Sequence, residues 1–108
     1  MEWIDQYDEE LDTSFEIPEF DTAGYRSLDE YTSDNVALVQ AAILSALHSG
    51  LSLGIDHVPV FAVKGTDFVI EMERVEYAEK LEECVNYFTS IEEYEMCSVL
   101  QELKETYL

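Results

Sequence analysis

The side chains that most often carry chemistry are scarce in this sequence, apart from carboxylates. There are two histidines, His48 and His57, and two cysteines, Cys84 and Cys97. A zinc site needs three or four clustered ligands, and the spacing of these residues does not supply such a set. The sequence therefore predicts capping or surface roles for the histidines, and neither a metal nor a cofactor.

The carboxylates are too numerous to single out a catalytic pair. Among 25 Asp and Glu residues, two at any chosen separation are expected by chance, so no acid/base dyad of the glycosidase kind stands out. The motifs GxGxxG, GxxxxGK[ST] and HExxH do not occur, which removes the usual phosphate-binding and zinc-protease patterns. Residues 50–54 have the letters of GxSxG, but they follow an apolar helical run and not the predicted strand that a nucleophile elbow requires. We therefore expect that the protein is not an enzyme and has no catalytic residues.

The excess of acid indicates electrostatic binding instead. Only five Lys and Arg residues oppose the acids, and the formal net charge is −20. Such a charge disfavours direct contact with nucleic acid or an anionic membrane, and it favours a basic protein surface as partner. In size and charge the chain resembles the DNA mimics with which phages and mobile elements block host enzymes, and this resemblance is one of composition.

A row of glutamates is the most regular acidic feature. Glu73, Glu76, Glu79 and Glu82 recur every three residues, which is a rise of about 4.5 Å per step on a helix. Charges along one DNA strand are about 3.4 Å apart, so the row could imitate phosphates. The alternative is a solvated helix face on which Glu76 and Lys80 form an i, i+4 pair.

Residues 1–32 are predicted to form an acidic aromatic arm, whose order the sequence leaves open. Trp3, Tyr7 and Leu11 are spaced as on one face of a short helix. The arm either anchors a partner through its aromatics or wraps over its own domain. Together the arm, the glutamate row and the adjacent Glu83 supply the predicted partner-binding residues: Trp3, Asp5, Tyr7, Asp8, Glu9, Glu10, Asp12, Glu73, Glu76, Glu79, Glu82 and Glu83.

Residues 33–108 are predicted to fold as one small α+β domain around a central buried helix. Ser33-Asp34 resembles an N-cap, Val36 to Leu47 is almost continuously apolar, and Gly50 is typical of a helix end. The β-branched and aromatic runs 58–63 and 68–70, on either side of a turn at 64–67, predict a β-hairpin. A surplus apolar face of the central helix could also serve a dimer or a partner.

An antiparallel helical hairpin is predicted at the C-terminus. Apolar residues at helical spacing run from about Met72 to Phe88 and again from Ile91, and the hinge is Thr89-Ser90, where Thr89 and Glu92 have the capping-box form. Antiparallel packing about that hinge would set Cys84 against Cys97. We expect reduced, buried thiols, with a disulfide across the hairpin as the alternative.

The second helix of this hairpin is similar to part of a known motif. The run Glu93-Tyr94-Glu95-Met96-Cys97-Ser98-Val99-Leu100-Gln101 resembles the second helix of the UVR motif, the protein-docking hairpin of nucleotide-excision repair proteins and some protease adaptors. The resemblance extends over residues 80–107. It implies a helical hairpin that is used for protein-protein contact.

The chain is predicted to be cytoplasmic, and to lie in the host cell cytosol if a phage encodes it. Glu2 and Asp5 stand where a signal peptide needs positive charge. The uncharged run 35–55 is long enough to suggest a membrane span, but Gln40 and His48 interrupt it and its flanks are acidic. The predicted function is an acidic inhibitor that occupies a nucleic-acid-binding surface. The alternative is a structural, assembly or adaptor protein that docks through apolar helix faces.

Overall fold

Four strands in one mixed sheet, with the helices packed against it, form the fold. The computed structural model describes residues 2–108. The elements are β1 (Glu2–Asp8), β2 (Thr13–Phe20), α1 (Leu28–Asp34), α2 (Val36–Leu53), β3 (His57–Val63), β4 (Val69–Glu73), α3 (Tyr77–Ser90) and α4 (Tyr94–Tyr107), with a 3₁₀ turn at Arg74–Glu76. The strand order is β1-β2-β3-β4, antiparallel except between β2 and β3. The predicted α+β class is confirmed, with its central helix, its β-hairpin and its C-terminal helical pair.

The core lies between the sheet and the helices α2, α3 and α4. Leu47 of α2, Val58 of β3, Leu81 of α3 and Leu100 of α4 are almost completely buried. Burying an aliphatic side chain of this size stabilises a fold by about 1.5–3 kcal/mol. The C-terminal hairpin is therefore held to the sheet mainly through α2, which contacts β3, α3 and α4.

The helix predicted around Trp3, Tyr7 and Leu11 is wrong, because residues 2–20 form the antiparallel hairpin β1-β2. A spacing of four residues also places side chains on one face of a strand, since strand side chains alternate with a period of two. Trp3 and Tyr7 do share a face, but it is the face of a strand. Leu11 lies in the turn that joins the two strands and is partly buried.

Strand β2 connects this hairpin to the rest of the sheet over a short parallel ladder. Only Glu19 and Phe20 pair with β3, opposite Ala62 and Val63. The ladder begins directly after Pro18, a buried residue without an N–H to donate. The parallel ladder is therefore confined to the last two residues of β2.

The central helix is one turn longer than predicted. Ser33 and Asp34, which were predicted as its N-cap, lie in α1 instead. Ser27 caps α1, Asn35 separates α1 from α2, and Gly54 in the left-handed conformation ends α2. Gly50, which was predicted to end the helix, lies within it and is buried. A Cβ at Gly50 would lie 2.7 Å from the Tyr77 hydroxyl oxygen, so the glycine permits a close approach of Tyr77.

The helix predicted to begin near Met72 begins at Tyr77 instead. Met72 belongs to β4 and pairs with Val58, and both side chains are buried in the core. Burial against the sheet outweighs the helical spacing of this stretch. The glutamate row is consequently divided among three elements, since Glu73 ends β4, Glu76 lies in the 3₁₀ turn, and only Glu79 and Glu82 lie on α3.

The predicted pairing of the C-terminal helices is shifted in register. The Sγ atom of Cys97 lies 3.4 Å from Thr89 Oγ1, and the Cys84 thiol donates to Gln40 Oε1 of α2 at 3.1 Å. Both thiols are free. The connection between the helices is longer than predicted and Glu92 has a φ of 61°, so the capping box with Thr89 does not form and Cys84 does not face Cys97.

Helix α2 is the one helix among residues 2–108 that is long and apolar enough to cross a membrane, judged by length and composition. In the structure it packs against β3, α3 and α4 as part of a compact fold. Its Ala42, Ala46, Leu47 and Leu51 are buried in the core.

Candidate functional site

The outer face of the hairpin β1-β2 combines acids with aromatics. Trp3, Asp5 and Tyr7 alternate along β1 and point to solvent, with Trp3 40% and Tyr7 53% exposed. Their partners on β2 are Pro18, Glu16 and Ser14. We call this surface the hairpin face and define it by Trp3, Asp5, Tyr7, Ser14 and Glu16.

Two carboxylates oppose each other at the centre of the hairpin face. Asp5 and Glu16 are directly paired in the register, and both are exposed. Among residues 2–108 neither of them forms an ion pair. Like charges directly across a strand pair are destabilising, so this pair lowers the stability of the isolated protein. A cation bound between the two carboxylates would remove that repulsion.

The turn of the same hairpin is held by acidic side chains. Asp8 Oδ1 accepts the backbone N–H groups of Glu10 at 2.9 Å and Leu11 at 3.2 Å. The Tyr7 hydroxyl donates to the Asp12 carboxylate, and this bond raises the pKa of Tyr7. Asp12 has a φ of 49°, a left-handed conformation that Asp tolerates better than most residues. Asp8 and Asp12 therefore shape the turn, while Glu9 and Glu10 are exposed on it.

Beside the turn lies an acidic depression of about 780 Å³. Here the second oxygen of Asp8, Oδ2, lies 3.1 Å from Nε2 of His57 at the start of β3. The two residues are 49 positions apart in the sequence. The depression is lined by Asp8, Glu10, Asp56, His57, Glu71, Glu73, Arg74 and Val75. It thus joins part of the predicted N-terminal acids to the first residue of the glutamate row.

The contact with His57 changes the acidity of both partners. The hydrogen bond that His57 Nε2 donates to Asp8 Oδ2 raises the pKa of His57, and the charges of Glu71, Asp8 and Glu10 add to this against the opposing effect of burial. Burial alone would raise the pKa of Asp8, but the N–H groups of Leu11 and Glu10 and the His57 ring outweigh it and hold that pKa below its ordinary value. The pair is consequently an ion pair over a wider pH range than free side chains would be.

The acids of α3 form a separate group that is partly neutralised. Lys104 of α4 donates to Glu82 at 3.0 Å, and Lys80 donates to Glu83 at 3.3 Å. The i, i+4 pair of Lys80 with Glu76 is therefore replaced by an i, i+3 pair. The Glu76 side chain instead accepts the backbone N–H of Glu73 at 2.9 Å in a capping box.

The predicted partner-binding residues thus fall into three groups. Trp3, Asp5 and Tyr7 lie on the hairpin face, and Glu9 and Asp12 lie in the adjoining turn. Asp8, Glu10 and Glu73 line the depression. Glu76 lies in the 3₁₀ turn, and Glu79, Glu82 and Glu83 lie on α3.

Sequence reasoning missed Glu16 and His57. Glu16 stood out from the other acids only once the register of the hairpin was known. His57 stood just before a predicted strand, and its partner Asp8 was assigned to a helix. The alternation of Phe15 and Ile17 with Ser14 and Glu16 along β2 would have been the available signal for a strand in this region.

No protein-family model, no curated protein and no solved structure matches this chain.

Proposed function

We propose that the protein is an acidic inhibitor that binds the basic, nucleic-acid-binding surface of another protein and thereby displaces nucleic acid from it. A phage or mobile element would use such a protein against a host enzyme in the cytoplasm. The UVR-like resemblance of the C-terminal hairpin supports a protein partner in a general way.

The observation that carries this proposal is the arrangement of the hairpin face. Asp5 and Glu16 oppose each other in the register, and Trp3 and Tyr7 stand on either side of Asp5 along β1. Two carboxylates accept the N–H groups of an arginine side chain, and charge-assisted bonds of this kind are among the strong ones. Exposed aromatics within reach of a cation add about 0.5–1 kcal/mol. The hairpin face therefore suits an Arg or Lys side chain of a partner protein.

The charge and size of the whole molecule fit the same partner. Its principal extents are 38 × 35 × 22 Å, and a duplex 38 Å long carries about 22 charges at one per 1.7 Å. The protein has 25 Asp and Glu residues. Of its five basic residues, Arg74, Lys80 and Lys104 are engaged by its own carboxylates. The field around the molecule is therefore negative, which accelerates encounter with a basic surface.

The double variant Asp5→Asn, Glu16→Gln tests the proposal, because it should increase the stability of the free protein and decrease its affinity for the partner. Removing the cross-strand repulsion should raise the stability of the free protein by about 0.2–1 kcal/mol. The same change should weaken binding to the partner by about tenfold or more, since bonds to charged groups contribute about 1.5–3 kcal/mol each. The measurements are chemical denaturation of the free protein and titration of a partner isolated by affinity capture.

The matched control is Asp34→Asn, Asp67→Asn, at the end of α1 and in the turn between β3 and β4, which removes the same charge from exposed positions. It should change binding far less than the hairpin variant does. Equal losses in the two variants would mean that net charge alone attracts the partner and that the hairpin face is not the contact. Unchanged binding in both would exclude the electrostatic proposal.

A second function, docking through an apolar helix face, rests on the incomplete cover of α2. This helix has a mean hydropathy of 1.6, yet only 28% of its residues are buried. Val36 and Leu53 are exposed at its ends, and Leu44 is partly exposed. An assembly or adaptor protein, or a homodimer, would use this face. Binding of that kind persists at high salt, whereas binding through the hairpin face does not.

A further inference from the structure

We propose that Asp8, Glu10 and His57 form a binding site for one divalent transition-metal ion of the zinc type. Each of the three side chains offers a ligand atom, and these atoms all lie within 4.8 Å of one another. This proposal concerns the protein alone and does not depend on the proposed inhibitor function.

The distances suit a metal ion with little rearrangement. Zinc binds His nitrogen and carboxylate oxygen at about 2.0–2.2 Å, so neighbouring ligand atoms of a tetrahedral site are about 3.3 Å apart. His57 Nε2 and Asp8 Oδ2 are already 3.1 Å apart. Glu10 is an exposed residue in the turn, and its side chain needs to move by only an ångström or two to complete the set.

The Asp8 carboxylate is held in position by bonds that the ion would not disturb. Its Oδ1 accepts two backbone N–H groups of the turn, while its Oδ2 faces His57. Outer contacts of this kind orient a ligand and strengthen metal binding. In binding, the ion takes the place of the proton between Oδ2 and Nε2, and a protonated His57 releases that proton to solvent.

The imidazole distinguishes this site from a general acidic surface. Hard cations such as Mg²⁺ prefer oxygen ligands, whereas imidazole suits zinc and its neighbours. The surrounding charge also favours a cation, because Glu71 and Glu73 line the same depression and its one guanidinium, that of Arg74, lies 3.2 Å from Asp56 Oδ1. Three protein ligands leave a fourth position of a tetrahedral zinc open to water or to a further carboxylate.

Calorimetric titration of the whole protein with zinc chloride, at about 0.15 M salt to screen diffuse binding, tests the site. We expect one zinc ion per molecule and an upward shift of the melting temperature. His57→Gln should weaken zinc binding by at least about tenfold and reduce the protons released, which titrations in two buffers measure. His48→Gln, the same change at the other histidine, should leave zinc binding unaltered.

A second matched pair of variants distinguishes the loss of a metal ligand from a loss of folding. Glu10→Gln and Glu9→Gln change neighbouring exposed residues of the turn, and only the former should weaken zinc binding. Mg²⁺ should bind weakly and equally to the wild type and to His57→Gln. Zinc that binds at several equivalent positions, that binds His57→Gln as tightly as the wild type, or that does not bind at all would overturn the proposal.

Discussion

At the scale of single residues, neighbouring carboxylates of this protein have opposite effects on its stability. Asp8 accepts two backbone N–H groups and an imidazole, so its charge stabilises the fold. Asp5, three positions earlier, faces Glu16 across the hairpin, so its charge opposes the fold. Natural proteins keep such unfavourable contacts mainly where function requires them. The Asp5–Glu16 pair is for this reason the better indicator of a binding surface.

The His57–Asp8 pair makes the stability depend on pH. The pKa of His57 is raised from 6.5, so its contribution is complete below that value and is lost as the pH rises through the folded-state pKa. The pKa of Asp8 is lowered from 3.8, so its contribution is complete above that value and is lost as the pH falls through the folded-state pKa. The pair therefore stabilises most between about pH 4 and 6.5.

His57→Gln should accordingly lower the melting temperature more near pH 5.5 than at pH 8, in thermal unfolding followed by circular dichroism. His48→Gln is the control, since His48 forms no ion pair with any residue in the range 2–108. The His48→Gln variant should change the melting temperature by the same small amount at both pH values. A His57→Gln effect that is constant from pH 5.5 to pH 8 would contradict the ion pair.

The two cysteines should differ in reactivity. Burial raises the pKa of the Cys84 thiol to about 12, and only the thiolate reacts quickly with thiol reagents. Cys97 is partly exposed. We expect one thiol to react with a chromogenic disulfide in the native protein and the second only on unfolding. Cys97→Ser should abolish the reaction seen in the native protein. A fast reaction that survives this change would show that Cys84 is accessible.

At the scale of elements, the predictions succeeded where one periodicity was possible. The apolar run of α2 and the β-branched run of β3 each fit a single kind of element, and both formed as predicted. The spacing of Trp3, Tyr7 and Leu11 fits either a helix or a strand, and the acids around it are rare in strands. This stretch forms strand β1 because it pairs with β2, which carries buried core residues. Local spacing in the sequence does not reveal that pairing.

The boundaries of elements failed for a related reason. Gly50 has the form of a helix end, but Tyr77, from a distant part of the chain, packs against its bare Cα and donates a hydrogen bond to Ile55 O at 2.9 Å. Met72 has helical spacing, but Val58 holds it in the sheet. The candidate sites were predicted least well, because each combines residues from two elements whose pairing cannot be read from the sequence.

Gly50→Ala tests the close approach of Tyr77 to α2. Overpacking costs about 1–3 kcal/mol, whereas alanine within a helix gains about 1 kcal/mol over glycine. We expect a net loss of up to about 2 kcal/mol in the free energy of unfolding, measured by urea denaturation. Ser52→Ala, on the exposed side of the same helix, should change stability by less than about 0.5 kcal/mol. A Gly50→Ala protein more stable than the wild type by about 1 kcal/mol would show that Tyr77 moves aside without cost.

At the scale of the whole molecule, charge is the dominant property. A net charge of −20 on 108 residues works against a compact state through self-repulsion, and the core must outweigh it. The acids are spread over the hairpin, the depression and the helices, so the molecule presents negative charge in most directions. The hairpin face combines that charge with two exposed aromatic rings, those of Trp3 and Tyr7, around a pair of opposed carboxylates.

The most direct test of the central proposal is displacement of a labelled DNA or RNA duplex from the captured partner, followed by fluorescence anisotropy at several salt concentrations. We predict that the protein releases the nucleic acid at a ratio near one to one, with an affinity that falls steeply as salt increases. Nucleic acid that stays bound while the protein also binds, or an affinity that is the same at low and high salt, would contradict the proposal.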